Sequence, residues 1–258
     1  MIILKLSYNS TGLGMKNKNF DQRNTKKINQ MYKDKNFQLK SKEWIEAGYD
    51  YEYSYHFKWL GRPIIQYPQD IVAIQEIIWN VKPDLIIETG VAHGGSLILS
   101  ASILELIGHG EVLGIDIDIR EHNKKEIENH KLFKRINLIE GSSINKKIID
   151  KVSKFVKNKK KIMVFLDSNH TYSHVKKELI IYSNFVTKGS YLIVFDTIIA
   201  DISKTFFKNR IWNSKNNPKI AVNEFLASTG RFKIDKKIEN KLGITASPHG
   251  YLKCVSNN

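Results

Sequence analysis

Acidic side chains recur in this chain where an apolar run stops. Glu88 follows Leu85-Ile86-Ile87, and Asp116 and Asp118 follow the run that begins at Val112. Glu140-Gly141-Ser142 ends the run containing Leu138 and Ile139, Asp167 ends "KIMVFL", and Asp196 ends "SYLIVF". A carboxylate can accept hydrogen bonds from a ligand, hold a cation or move a proton. One such acid would mean little. Five in succession, each at the end of a strand-like run, predict a ring of carboxylates along one rim of a sheet.

The segment after Glu88 narrows the chemistry. It carries three glycines, Gly90, Gly94 and Gly95, and one histidine, His93, before the next apolar run. The spacing is not the Gly-x-Gly-x-x-Gly of a pyrophosphate cradle, and Glu88 would repel a phosphate. A carboxylate there suits a cationic or hydrogen-bond-donating ligand, and glycines let backbone come close to it. Asp116, at the end of the next run, suits a ribose diol. A sulfonium, an α-amino group, a ribose and an adenine meet these demands together, which describes S-adenosylmethionine.

The elements that must position these groups alternate. "PQDIVAIQEIIWNVK" has helical spacing, with Ile71, Ile74, Ile77 and Ile78 on one side and Pro68 near its start. Strand-like "DLIIE", "EVLGIDID", "INLIEGS", "KIMVFLD" and "SYLIVFDT" then alternate with helix-like "GGSLILSASILELI", "NKKEIENHKLF", "NKKIIDKVSKFVK" and "SHVKKELIIYSNFV". The helix-like "PKIAVNEFLAST" follows. This order predicts an α/β fold, a doubly wound and mostly parallel seven-stranded sheet covered on both faces. Two late strands, "FKIDKKI" and "GYLKCV", have no clear helix between them and predict an antiparallel C-terminal hairpin. In such sheets ligands bind beyond the carboxyl ends of the strands.

Residues 1–42 are polar, basic and rich in Asn, and read as a flexible or loosely docked arm. Residues 43–258 then form the ligand-binding domain, with a cap segment over 43–70. In that segment Tyr49, Tyr51, Tyr53, Tyr55, Phe57 and Trp59 occupy alternate positions, either as ordinary packing or as an aromatic wall over a cleft. Gln66 and Tyr67, in "QYPQD", are further ligand-contact candidates. Among 258 residues there is one cysteine, Cys254, so an internal disulfide framework is excluded. No apolar run is long enough to span a membrane, and a cytoplasmic location is expected. The net charge of +15 points to an anionic partner. The basic clusters lack the interleaved aromatics of a single-strand binder, so nucleic acid is not the expected partner.

Several stretches, taken in order, resemble the cephalosporin-hydroxylase-like family: "LGRPIIQYPQDIVAIQEIIWNVKPDLIIETGVAHGGSLILSASILELIG", "VLGIDIDIR", "LIEGSS", "FLDSNHTYSHV" and "GSYLIVFDT". The resemblance spans roughly residues 43–255. It implies a Rossmann-like class I S-adenosylmethionine-dependent methyltransferase, related to macrolide-sugar and rhamnosyl O-methyltransferases, and a homo-oligomer. Glu88, Thr89, Gly90, Gly94, Gly95 and Ser96 match the cofactor loop, which also holds His93. Asp116 matches the ribose acid, and Ser142 the residue near adenine. Asp167 matches a metal ligand, and His170 a general base, with His174 a weaker candidate. Relatives carry two adjacent ligands at the end of the fifth strand, whereas this chain reads Phe195-Asp196-Thr197. Phenylalanine cannot bind a metal, so either magnesium rests on Asp167 and Asp196 alone, or the site has lost its metal and His170 acts without one.

The expected activity is methyl transfer to a hydroxyl of a sugar, glycan precursor or small natural product. A phosphate-bearing acceptor would account for the basic surface. The competing classes are a nucleic-acid methyltransferase, a non-catalytic cofactor-binding protein and, last, a hydroxylase.

Overall fold

The computed structural model describes residues 10–203 and 209–257, with side chains from residue 19 onward. The described residues form nine strands and nine α-helices, which alternate from Pro68 onward. The sheet contains β3 (Leu85–Thr89), β4 (Glu111–Asp116), β5 (Ile136–Glu140), β6 (Ile162–Leu166), β7 (Tyr191–Val194), β8 (Phe232–Ile234) and β9 (Tyr251–Cys254). Their spatial order is β5-β4-β3-β6-β7-β9-β8. The first five are parallel, while β9 runs antiparallel to both β7 and β8. Chain order reverses between β3 and β6, which makes their carboxyl ends the switch point where such sheets bind ligands.

Both faces of the sheet are apolar because side chains alternate along each strand. Ile86, Val112, Met163, Phe165 and Ile193 point into one core, shared with α3 (Pro68–Val81) and α4 (Gly95–Ile107). Leu85, Ile87, Val164, Leu166 and Leu192 point into the other, shared with α6 (Lys146–Val156), α7 (Tyr172–Tyr182) and α8 (Pro218–Ser228). The expected α/β fold, with its mostly parallel sheet and antiparallel C-terminal hairpin, is the fold observed.

Two local expectations need correction. Residues read as a flexible or loosely docked arm are helical from Ser10: α1 (Ser10–Lys33) is followed by α2 (Lys35–Tyr49), so the boundary placed after residue 42 falls inside α2. The rest of that arm, residues 1–9, lies outside the described residues. Asp34 starts α2 by accepting hydrogen bonds from the amides of Asn36 (2.9 Å) and Phe37 (3.1 Å). Its buried face is only Ser41 and Ile45, too thin a stripe to stand out among lysines. The hairpin, too, is not direct. Asp235 caps a short helix between its strands, α9 (Lys236–Leu242), by accepting from the Lys237 amide.

One buried acid ties the ends of the domain together. Asp70, in the first turn of α3, accepts hydrogen bonds from the Thr245 hydroxyl (2.5 Å), the Ala246 amide (2.8 Å) and the Tyr251 hydroxyl (2.6 Å). Burial nevertheless pushes its carboxyl up to about 6.

Candidate active site

A cavity of about 390 Å³ opens at the switch point, within the size range of small-molecule sites. Its floor is the rim of the sheet: Gly90, Asp116, Asp167, His170, Phe195 and Asp196. Its roof comes from α2, from the turn Tyr53–Tyr55, from the residue before α3 and from the segment after β7, with Tyr49, Tyr53, Tyr55, Tyr67, Arg210 and Trp212.

The floor gathers three of the expected side chains. Ligand atoms of Asp167, His170 and Asp196 all lie within 4.8 Å of one another. His170 Nε2 is 3.1 Å from Asp196 Oδ2, and its ring meets Trp212 edge to face at 5.0 Å between centroids. Asp196 has φ +54°, a left-handed conformation that aspartate tolerates better than most residues. The chain turns there, so Phe195 packs in the core at 6.1 Å from Phe165 while Asp196 joins the cluster. Phe195 supplies no donor, as expected, but His170 brings the possible donors to three. Desolvation, then Asp196, Glu88 and Glu178, hold the Asp167 carboxyl well above the usual carboxylate range. A divalent cation would relieve that repulsion, and two carboxylates with one imidazole suit one.

The glycine loop is held from both sides. Asp116 Oδ2 accepts from the amides of Val91 (2.7 Å) and Ala92 (3.3 Å), which folds the loop back over β4. Arg62, from the strand β2 (Arg62–Ile64), donates twice to the His93 carbonyl (3.0 and 2.8 Å) and once to Asn123 Oδ1 (3.0 Å). The glycines answer to packing more than was expected. A Cβ on Gly90 (φ +95°) would stand 2.2 Å from the Asp167 carbonyl oxygen, and one on Gly95 would stand 2.1 Å from that of Pro63. In both places the closely approaching backbone belongs to the protein itself.

Glu88 is buried, and its Oε1 accepts from the Ser96 hydroxyl. Its other oxygen is buried without a partner, and burial pushes the carboxyl up to about 8. A positive charge or a hydrogen-bond donor placed beside it would favour the ionised form. Gln66, whose Oε1 is similarly orphaned, lines the cavity. These two observations fit a ligand carrying an ammonium or sulfonium.

The remaining expected residues separate. His93, Gly95 and Ser96 line a small recess of about 50 Å³ that shares Gly90, Ala92 and Asp167 with the main cavity. The His93 ring faces Asn123 Oδ1 at 3.3 Å. Glu88, Thr89, Gly94 and Ser142 line neither space. Ser142 turns its carbonyl to the Asn145 amide, and its neighbour Ser143 enters a network the sequence did not reveal. Buried Glu178 accepts from the hydroxyls of Ser143 (2.6 Å) and Ser168 (2.8 Å), and His174 Nε2 lies 3.5 Å away. Ser143 and Ser168 stand on separate loops, so spacing could have signalled only the His174–Glu178 pair, four residues apart on α7. Arg62, Arg210 and Trp212 were also missed.

Comparison with known proteins places the chain in a family. The sequence model of the rhamnosyl O-methyltransferase/CmcI family matches residues 51–255. The rhamnosyl O-methyltransferase of Mycobacterium tuberculosis (strain ATCC 25618 / H37Rv) is 29% identical over 192 residues, covering 71% of this chain and 72% of that protein. The apo structure of CmcI-N160 superposes with a TM-score of 0.54 at 18% identity, over 78% of this chain and 77% of that one. The structure of cmcI-D160 with Mg and SAM gives 0.52 at 19% identity, over 78% of each chain. Those two likenesses speak for the fold. With the match across residues 51–255, the chain belongs to the rhamnosyl O-methyltransferase/CmcI family, and it is an S-adenosylmethionine-dependent O-methyltransferase.

Proposed function

We propose that the enzyme methylates a hydroxyl of a sugar, a glycan precursor or a small natural product, with His170 as the proton acceptor. The observation that carries this reading is the cluster of Asp167, His170 and Asp196 on the floor of an aromatic-walled cavity. S-adenosylmethionine supplies the electrophilic methyl group. Gln66, Gly90 and Asp116 line the cavity and would hold it, and Glu88, buried just before Gly90 in the chain, would answer its positive charge. An alcohol is a poor nucleophile until its proton leaves, and an imidazole can take that proton. Asp196 holds the His170 ring from one side and Trp212 from the other, so the base is oriented before the acceptor arrives. Positioning of two reactants can lower a barrier by ~7–11 kcal/mol.

Asp167 and Asp196 are the residues that would hold a divalent ion such as magnesium, which leaves His170 to take the proton. Such an ion, when bound, makes a hydroxyl more acidic. The roof suits a sugar because tyrosine and tryptophan faces pack on its C–H surface. Arg210 is the one lysine or arginine among the described residues lining the cavity. Its guanidinium, stacked 5.2 Å from the centroid of Trp212, is suited to a phosphate, which supports a phosphate-bearing acceptor. Among the described residues the metal-capable cluster has one histidine and two carboxylates, a poor match to the two-histidine site of iron oxygenases.

Thermal unfolding with S-adenosylhomocysteine, with and without magnesium, tests the site first. A ligand at one hundred times its dissociation constant adds ~2.7 kcal/mol of stability. A shift with the nucleoside and a further shift with magnesium are expected. No shift at saturation would remove the cofactor reading. Binding without transfer to a panel of free, nucleotide-linked and lipid-linked sugars would remove the sugar acceptor and turn the search to small natural products.

A further inference from the structure

A second cavity, of about 220 Å³, lies at the opposite rim of the sheet. It is bounded by Asn80 and Val81 at the end of α3, by Lys161 just before β6, by the turn Lys188-Gly189-Ser190 just before β7, and by Tyr191 and Lys253. Ser190 and Asp196 lie six residues apart along an extended strand and its exit. At ~3.3 Å per residue, the two cavities stand roughly 15–20 Å apart. No acceptor bound at one reaches the other as a small molecule.

The chemistry of this cavity is cationic. Three lysines line it, and among its described lining residues there is no carboxylate. Two acids stand beside lining residues without lining the cavity themselves, and both already hold donors: Asp235 accepts from the Tyr191 hydroxyl (2.6 Å), and Asp84 accepts from the amides of Lys160 and Lys161 (2.9 Å each). Two of the three ammonium groups are held in place. Lys161 Nζ donates to the Val81 carbonyl at 3.0 Å, and Lys253 Nζ sits 5.7 Å from the centroid of Tyr191. Lys188 is presented by a tight turn, closed by the Ser190 amide on the Thr187 carbonyl (3.0 Å) with Gly189 at φ +83°.

Ser190 adds an independent signal. It is 1% exposed, lines the cavity, and its hydroxyl is buried without a hydrogen-bond partner. Such a hydroxyl is a donor in want of an acceptor. Three ammonium groups and one unmet hydroxyl donor around a space of this size call for a compact polyanion rich in acceptors.

We propose that this rear cavity binds a phosphate or diphosphate group, free or as the end of a larger molecule whose remainder lies in solvent. The site is separate from the methyl-transfer site and does not depend on the identity of the acceptor. Titration calorimetry with inorganic diphosphate, in magnesium-free buffer and with S-adenosylhomocysteine saturating, tests it. Saturable one-to-one binding is expected, weakened at least tenfold in the K188Q/K253Q double variant, weakened also in Ser190→Ala, and unchanged in Arg210→Gln. Lys188 and Lys253 are exposed, so the double variant should keep the wild-type thermal shift with S-adenosylhomocysteine, which checks its fold. In parallel, vesicles of phosphatidylcholine with and without phosphatidic acid separate the two sources. Diphosphate binding identifies a free ligand. Binding to phosphatidic acid vesicles alone, lost in the double variant, identifies a lipid headgroup. No binding in either arm, or binding that survives in the double variant, overturns the proposal.

Discussion

On the floor of the main cavity, Asp167, His170 and Asp196 stand on turns leaving β6 and β7, and the strands beneath them are buried on both faces. On the roof, Tyr49, Tyr55, Arg210 and Trp212 stand on a helix end, a turn and a long connection. The floor carries charges that repel one another. The roof carries aromatic faces and one cation. Charges that must act on a reacting oxygen need a rigid base, because small displacements cost rate. A surface that only has to recognise an acceptor tolerates a looser support. The floor should therefore govern turnover and the roof should govern affinity.

His170→Ala gives the strongest test of that division. Its turnover should fall by ~10²–10⁴-fold while affinity for S-adenosylhomocysteine stays within about threefold. A variant with near-normal turnover would remove His170 from the chemistry and break the comparison at its centre.

Glu88→Gln should show two effects of opposite sign. The folded carboxyl titrates at about 8, above its ordinary value of 4.5, so the folded state holds a proton that the unfolded state gives up. That proton's contribution to stability is complete below pH ~4.5 and is lost as the pH rises towards 8. At pH 7 the ligand-free glutamine variant should be more stable than the wild type, by an amount on the order of 3 kcal/mol. The advantage should vanish in mild acid. Cofactor affinity should fall instead, most clearly near pH 8. Melting curves and cofactor titrations between pH 5 and 8 would follow both, and a pH-independent stability difference would contradict the account.

On the roof, Arg210→Ala should raise KM for a phosphate-bearing acceptor by about 10–100-fold, the size of a lost hydrogen bond to a charged group. It should leave kcat and the KM of a neutral acceptor nearly unchanged. If kcat falls instead, the roof takes part in the chemistry and the division fails. The smallest effect belongs to Tyr67→Phe. Burial, with Asp196 and Asp70 nearby, pushes this hydroxyl up to about 12, so it stays neutral over the working range. The pH profile should be superimposable on the wild type, with rates within about threefold. A displaced profile would make Tyr67 a proton carrier.

The same division decides what could be read from the amino-acid order. Strands buried on both faces must be unbroken apolar runs, so acids such as Asp167 and Asp196 stand out where the runs end. The roof has no such contrast. The alternation from Tyr49 to Trp59 imitates a strand, yet Tyr49 closes α2, Tyr53 and Tyr55 lie in a 3-10 turn, and only Phe57 and Trp59 belong to a strand, β1 (Phe57–Trp59). Glycines in the loop after Glu88 were legible as points of close approach. What approaches Gly90 and Gly95 was not, because Asp167 and Pro63 are distant in sequence. Glu178 was hidden for the same reason, as its partners are brought to it by tertiary folding.

Asp70 sets a clock for the birth of the enzyme. Its hydrogen-bond partners lie 175, 176 and 181 residues later in the chain. At synthesis rates of about 5–20 residues per second, roughly 9–36 s separate the appearance of this acid from that of Tyr251. Throughout that interval α3 holds a carboxyl that cannot be buried with its partners, and the Ala246 edge of the cavity does not yet exist. A ribosome-bound chain stalled before Tyr251 should therefore leave α3 open to protease. Methyl transfer can begin only after the last strand of the sheet has been made.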